Sequence, residues 1–321
     1  MPYTDEWRAI RILDMDRDPK VIIGASEAAA AMGRSPWDSR LSLYLKKRGD
    51  WREEKENDAM RMGTALEPVV LDEYDRRMSV STKRQLPMYF SDVHHCIAAT
   101  PDGLLDDRCV DAKTSTHYSK AKRDEIDDEM KKFGDDGTDV VPATCYIQGQ
   151  QQCFVMNVNR VDFPVLFDGR TLRIYTVWRN ESVIELMIAA NLDMVRRIVT
   201  GDPPEADVEH EVTQDALRLL FPVQANDVKF MSDEAESDWE RRCRLKYDIK
   251  EMEREVKLIN NQLRIEMGRA EFGRLPNLPE EIHRISVSAS EWTEDDIEKA
   301  RKKLGTEKRR SYDILRGRKA R

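Results

Sequence analysis

The stretch Thr100-Pro101-Asp102-Gly103-Leu104, followed by Val110-Asp111-Ala112-Lys113, constrains this chain more than any other. An acid sits at a turn, and an acid-x-Lys triplet lies on the short apolar run that follows. A bent β-hairpin across these residues puts Asp102 and Asp111 on adjacent strand ends. Both carboxylates then face one hard divalent cation, which takes oxygen ligands. In a strand, residues i and i+2 share a face, so Lys113 points the same way as Asp111. An amine there orients a metal-bound water, lowers its pKa and offsets charge that builds on a phosphate. In a chain with 36% charged residues the triplet also arises by chance, so its surroundings matter.

The 321 residues suffice for one large domain with an appendage. No run of 18 or more apolar residues is present, which excludes an apolar membrane-spanning helix. The start, Met1-Pro2-Tyr3-Thr4-Asp5-Glu6, has neither the basic nor the apolar segment of a secretory signal. Cys96, Cys109, Cys145, Cys153 and Cys243 are scattered without a C-x-x-C pair, so zinc or iron–sulfur ligation is not expected. They read as free thiols in a reducing cytoplasm. The net charge of -8 does not advertise nucleic acid, but the charge is unevenly spread. From Lys299 to Arg321 there are eleven basic residues against Glu307 and Asp313, a tail able to follow a phosphate backbone or simply to be solvated.

Along the chain, residues 4–13 read as a short helix with Trp7 and Ile10 on one face. Ser26 is the expected N-cap of an alanine-rich helix from Glu27 to Met32. Ser39 to Gly49 and Asp58 to Met78 read as helices, the second with Met62, Leu66, Val69, Val70 and Tyr74 at helical spacing. Arg84 to Ala99 reads as strands around a turn at Asp92-Val93. Gly134-Asp135-Asp136-Gly137 is expected to be a mobile loop after a helix. Pro142 starts a helix to about Met156, residues 161–167 and 172–178 pair around Asp168-Gly169, and Glu181 to Val199 is an amphipathic helix. Beyond Phe221-Pro222, residues Leu245, Ile249, Met252, Val256, Ile259 and Leu263 form an a/d seam. Its shortness favours packing on its own domain over a contact between subunits.

Four further segments accompany the hairpin. Glu67, in Gly63-Thr64-Ala65-Leu66-Glu67, can lie over the metal; alone it reads as an exposed helix glutamate. Gly24-Ala25-Ser26 offers a hydroxyl and backbone N–H groups to a phosphate, or is an ordinary cap. Thr100 adds a second hydroxyl. Gln148 and Gln152, one helical turn apart, can present amides to a phosphate or to the attacking water, or form a polar face.

In this order the segments Ile23-Gly24-Ala25-Ser26, Gly63-Thr64-Ala65-Leu66-Glu67, Thr100-Pro101-Asp102-Gly103-Leu104, Asp111-Ala112-Lys113 and Gln148-x-Gln150-x-Gln152 resemble the phage lambda exonuclease family, or YqaJ-type viral recombinases, of the PD-(D/E)xK nuclease superfamily. The resemblance spans roughly residues 20 to 200. It implies an α/β, restriction-endonuclease-like fold: a central mixed β-sheet flanked by helices, here with a helical C-terminal extension. Residues 1–222 form the expected exonuclease domain, and 223–321 the extension with the seam and the basic tail. It implies that Asp102, Asp111, Glu67 and the carbonyl of Ala112 hold Mg²⁺ (Mn²⁺ substituting), with two ions per site. Lys113 orients or activates the water, and Ser26, Thr100, Gln148 and Gln152 hold phosphate or support the site. The implied activity is 5′-to-3′ exonucleolysis of one strand of linear duplex DNA, leaving a 3′ overhang. Double-stranded DNA ends, a homotrimer and a single-strand annealing protein are the implied partners, with no membrane, in the cytoplasm of a bacterial host. Lambda exonuclease has Glu where this chain has Asp111. The family also has an Arg shortly before the Ser-bearing helix, where this chain offers Arg17 and Lys20. A RecB-like nuclease, a restriction-type endonuclease and a non-catalytic DNA-binding scaffold are the competing expectations.

Overall fold

The computed structural model describes residues 9, 11–51, 58–115, 133–223, 228–277 and 281–283. Two compact units divide the chain, residues 1–223 and 224–321. Trp7, Ile10 and the basic tail from Lys299 lie outside the described residues.

The first unit is mixed α/β, with a central mixed sheet flanked by helices, as expected. One small sheet joins β1 (Ile23–Gly24), β3 (Ile97–Ala99) and β2 (Tyr89–Phe90). β1 and β3 run parallel, with Gly24 opposite Ala98, so Ser26 and Thr100 both leave the same end of this sheet two residues later. The larger sheet contains β4 (Gly103–Leu104), β5 (Arg108–Val110), β6 (Lys113–Ser115), β7 (Arg160–Phe167) and β8 (Thr171–Trp178). β7 and β8 are antiparallel over their whole length. Their connection places Asp168 and Gly169 at positive φ, 51° and 66°, a conformation glycine adopts freely.

β5 and β6 are two halves of one strand on the same edge of β7. Val110 pairs with Asp162 and Lys113 with Val165, so the register continues unchanged through Asp111 and Ala112. Pro164 explains the interruption. Asp111 N–H donates to the Asp162 carbonyl at 3.0 Å, and a parallel ladder would next place the N–H of residue 164 on the Asp111 carbonyl. Proline has no such hydrogen. The chain is therefore released from the ladder where the D-x-K triplet stands.

Short helix α1 (Ala28–Ala31) follows a single 3₁₀ turn, Ala25–Glu27. Gly24, not Ser26, occupies the N-cap position, and Ser26 lies inside the turn, exposed. The expected Ser26 cap is thus replaced by the Glu27 carboxylate, which accepts from Gly24 N–H at 2.9 Å. α2 (Arg40–Arg48) matches its expected bounds: the Ser39 side chain accepts from Ser42 N–H, and Gly49 ends it at φ 78°. α3 (Asp58–Met78) buries Val70, Leu71 and Tyr74, whereas Met62 and Val69 are exposed. The apolar spacing is genuine, but only its C-terminal half rests on the sheet. α4 (Ala143–Met156) and α5 (Glu181–Thr200) complete the layers, with α6 (Thr213–Leu220) packed beside α2. One core joins β1, α2 and α5 through Ile23, Leu41, Tyr44, Met194 and Ile198. Another joins α4 to the large sheet through Cys153, Val161, Phe163 and Tyr175.

The stretch Gly134–Gly137 differs from expectation. Asp136 accepts from Ile174 N–H at 2.7 Å, and Gly137 N–H donates to the Ile174 carbonyl at 2.9 Å, so it is pinned along β8 rather than left mobile. The helix expected before it lies outside the described residues.

In the second unit, α7 (Asp233–Met267) is capped by Ser232 and followed by the hairpin β9 (Phe272–Arg274) and β10 (Glu281–His283). The seam is present, but α7 buries no residue. Leu245, Ile249, Met252, Val256 and Ile259 are 46–56% exposed. Residues 284–321 of this unit, which follow the hairpin, lie outside the described residues. No described helix is long and apolar enough to cross a membrane.

Candidate active site

The antiparallel pair β4–β5 sets Gly103 opposite Val110, so the flanking residues Asp102 and Asp111 meet at one end of the hairpin. A direct bond closes that end: Ala112 N–H donates to Asp102 Oδ2 at 2.8 Å. Alternation along the strand turns the polar groups of Ala112 away from β7, because those of Asp111 face it.

Asp111 is 2% exposed and held from two elements. Its Oδ2 accepts from Gln148 Nε2 at 2.7 Å and from Gln152 Nε2 at 2.5 Å, while Lys113 Nζ lies 2.5 Å from Oδ1. Lys113 Nζ also donates to Gln148 Oε1 at 3.2 Å, closing a ring of Asp111, Lys113 and Gln148. Helix α4 comes this close to the sheet because of Gly149, where a Cβ would stand 3.1 Å from the Phe163 ring. The two glutamine amides are therefore directed at a carboxylate, not at open solvent. Gln150 and Gln151 are structural: the first donates to the Trp178 carbonyl, the second to the Ile23 and Ala98 carbonyls, tying the two sheets to α4.

The electrostatics show the same convergence. Burial first, then the charges of Asp111 and Glu67, push the Asp102 carboxyl well above the usual carboxylate range against the opposing pull of Lys113. Glu67 is raised by burial and then by Asp111. Burial would lower the Lys113 pKa, but Asp111 outweighs it and the amine is pushed upward. Fully ionised, these three carboxylates against one ammonium leave an uncompensated charge that a divalent cation neutralises. Among the described residues no three His, Cys, Asp or Glu side chains form a ready cage for a metal. Mg²⁺ does not require one: it is commonly held by one or two carboxylates, with waters and substrate phosphate completing its shell. The oxygen donor set fits that ion.

The structure thus brings together Glu67, Asp102, Asp111, Lys113, Gln148 and Gln152. Ser26 and Thr100 stand at the same end of the small sheet, and neither makes a side-chain hydrogen bond to that group among the described residues. The helix after Ser26 is only four residues long, so what Ser26 presents is its exposed hydroxyl rather than the end of a long helix.

Sequence reasoning missed Arg11, Glu27 and Lys47. Arg11, rather than Arg17 or Lys20, lies against the Ser-bearing turn. Its Nη2 is 2.6 Å from Glu27 Oε2, and a Cβ on Gly24 would stand 2.6 Å from the same nitrogen. Lys47 Nζ reaches Glu27 Oε2 at 2.7 Å and donates to the Arg11 and Ile22 carbonyls. The sequence signal that points to them is Glu27 itself, three residues after Gly24, the spacing at which an acid reaches back to an N-cap N–H. Burial alone would raise the Glu27 carboxyl, but Arg11 and then Lys47 hold it at about 2. A carboxyl depressed from 4.5 contributes stability that is present above 4.5 and lost as pH falls toward 2, on the order of 3 kcal/mol. Urea unfolding at pH 7, 5 and 3 is expected to show this loss in the wild type and a much smaller one in Glu27→Gln. Equal pH dependence in both proteins would contradict it.

Residues 6–159 match the YqaJ-like viral recombinase domain family. The relative named Uncharacterized protein YqaJ, from Bacillus subtilis (strain 168), is 21% identical over 275 residues, covering 82% of each chain. Among solved structures, the alkaline exonuclease LHK-Exo from Laribacter hongkongensis is similar at 18% identity and TM-score 0.46, covering 62% of this chain and 94% of that one. A phage-related exonuclease from Haemophilus somnus 129PT is similar at 12% identity and TM-score 0.40, covering 56% and 96%. The motifs read from the sequence, from the Ser-bearing turn through the D-x-K strand to the glutamine helix, fall within the segment, residues 6–159, that is similar to the YqaJ-like viral recombinase domain.

Proposed function

We propose that this protein is a Mg²⁺-dependent exonuclease that degrades one strand of linear double-stranded DNA from its 5′ end and leaves a 3′ overhang. The observation that carries the reading is the convergence of Asp102, Asp111, Glu67 and Lys113 at one hairpin end. Asp102, Asp111, Glu67 and the Ala112 carbonyl would hold Mg²⁺, with Mn²⁺ as a substitute and two ions per site. The metal supplies an activated water and a Lewis acid for the leaving oxygen. Gln148 and Gln152 fix the Asp111 carboxylate through Oδ2. Lys113, beside Asp111 and Gln148, orients or activates the attacking water and stabilises negative charge developing on the phosphate. Polarity follows from the family resemblance, as do the homotrimer, the single-strand annealing partner and the place in phage-type recombination within a bacterial cytoplasm. In this reading residues 1–222 carry the chemistry, and the tail from Lys299 to Arg321 assists retention on DNA.

Linear duplexes labelled at either 5′ end, with and without a terminal phosphate, test the proposal in Mg²⁺ beside a circular plasmid. Release of 5′-mononucleotides from linear DNA alone is the expected result, and cutting of the circle would identify an endonuclease instead. Ser26 and Thr100, at one end of the small sheet, are assigned to the terminal 5′ phosphate. Ser26→Ala is therefore expected to narrow the rate difference between phosphorylated and hydroxyl ends. Wild-type enzyme that degrades both ends equally fast would remove the basis for this assignment.

A further inference from the structure

Beneath the carboxylate cluster lies a second group of buried polar side chains for which the proposed chemistry has no use. Tyr74 is fully buried, and its hydroxyl donates to Asp162 Oδ2 at 2.6 Å. Arg108 Nε donates to the Tyr74 hydroxyl at 3.0 Å and stands 3.0 Å from Asp162 Oδ2. Thr176 Oγ1 donates to the other carboxylate oxygen at 2.8 Å. Asp162 is 2% exposed, so both of its oxygens are satisfied within the protein. A carboxylate and a guanidinium held this deeply are costly to desolvate, and apolar residues of similar volume would often stabilise the fold as well or better. Stability alone therefore does not explain the group.

Its place in the fold suggests another role. Tyr74 lies on α3 seven residues after Glu67, two turns along the same helix face. Pro68 directly follows Glu67 inside that helix and cannot donate to the Thr64 carbonyl, so the turn preceding Glu67 is loosened, whereas i→i−4 pairing still ties the Glu67 carbonyl to the Leu71 N–H on the C-terminal side. What secures Glu67 is the C-terminal segment, whose anchor on the sheet is Leu71, Tyr74 and Val110. Arg108 belongs to β5, two residues before Val110 and three before Asp111. Asp162 belongs to β7, and its backbone carbonyl accepts the Asp111 N–H. One hydroxyl thus links the helix that carries Glu67 to both strands that fix Asp111.

We propose that Tyr74, Arg108 and Asp162 form a brace that sets the position of Glu67 relative to Asp111, and through it the affinity of the site for a divalent cation. The inference rests on the metal-site reading above. These are positioning residues, none of which touches the metal or DNA.

The test uses the full-length protein and Mn²⁺ titrated by calorimetry without DNA. Tyr74→Phe keeps the ring and removes only the hydroxyl. It is expected to weaken Mn²⁺ binding by about 10-fold, the scale for losing an outer partner of a metal site. Turnover at saturating DNA should fall with it while KM for DNA ends stays unchanged. In a Glu67→Gln background the same substitution should change Mn²⁺ affinity less than about twofold, because the group being positioned has been altered. Arg108→Lys, which keeps the charge but loses the planar fork, should reproduce the pattern and serves if Tyr74→Phe does not fold. Wild-type Mn²⁺ affinity in Tyr74→Phe, or an equal loss in both backgrounds, overturns the brace while leaving the metal site standing. Wild-type protein that neither binds Mn²⁺ nor cuts DNA overturns both.

Discussion

Asp111→Ala is expected to lower Mg²⁺-dependent cleavage by on the order of 10³-fold while leaving DNA binding largely in place. It should also be the more disruptive of the two acidic substitutions. Asp111 is buried and holds Gln148, Gln152 and Lys113 at once, so its removal strands two amides and an ammonium ion. Breaking a buried pair from one side costs about 3–5 kcal/mol, which should appear as a lower Tm in metal-free buffer. Asp102→Ala should be equally inactive without that penalty. Asp102 loses one bond, to Ala112 N–H, and its removal relieves repulsion with Asp111 and Glu67. Activity and calorimetric melting of the two variants side by side would check the contrast. Asp111→Glu, which restores the form found in lambda exonuclease, should keep partial activity. Near-wild-type turnover in both alanine variants would end the metal-site hypothesis.

Lys113→Ala should act on rate rather than affinity. The amine is held between Asp111 and Gln148, where it can oppose charge that appears only in the transition state. Loss of such a donor lowers turnover by roughly 10²–10³-fold. Single-turnover cleavage at saturating DNA, compared with the DNA dissociation constant, separates the two effects. A collapse in affinity with a normal rate for bound DNA would make Lys113 a binding residue and refute the role assigned to it.

Tail deletion bears on the C-terminal unit in the same manner. The segment Lys299 to Arg321 carries a net charge of 11 − 2 = +9. Removing it is expected to weaken DNA binding and flatten its salt dependence, with cleavage of bound ends preserved. Loss of cleavage at saturating DNA in a folded truncation would place the tail in the active site.

Local chemistry made a good part of this protein legible in advance. The ends of α2 follow from Ser39 and Gly49, and those of α3 from its periodicity, because caps and helical spacing act within a few residues. The meeting of Asp102 with Asp111 was legible for the same reason: they are joined by a short hairpin whose register fixes which residues are opposite. The seam on α7 was equally visible, but a seam specifies only an apolar stripe and not what covers it. Ser26 was misplaced because a residue suited to capping was read without the competing acid beside it. The Glu27 carboxylate, fixed by Arg11 and Lys47, takes the Gly24 N–H instead.

By itself, then, the sequence determined the hairpin, the D-x-K triplet and the bounds of the principal helices, all of which depend on neighbours close along the chain. The tertiary structure alone decided that Pro164 interrupts the ladder opposite the triplet, that Gln152 reaches Asp111 across 41 residues, and that Tyr74 meets Asp162 across 88. Such contacts are set by strand register and by how closely a helix can approach a sheet, and neither is fixed until distant segments have packed together.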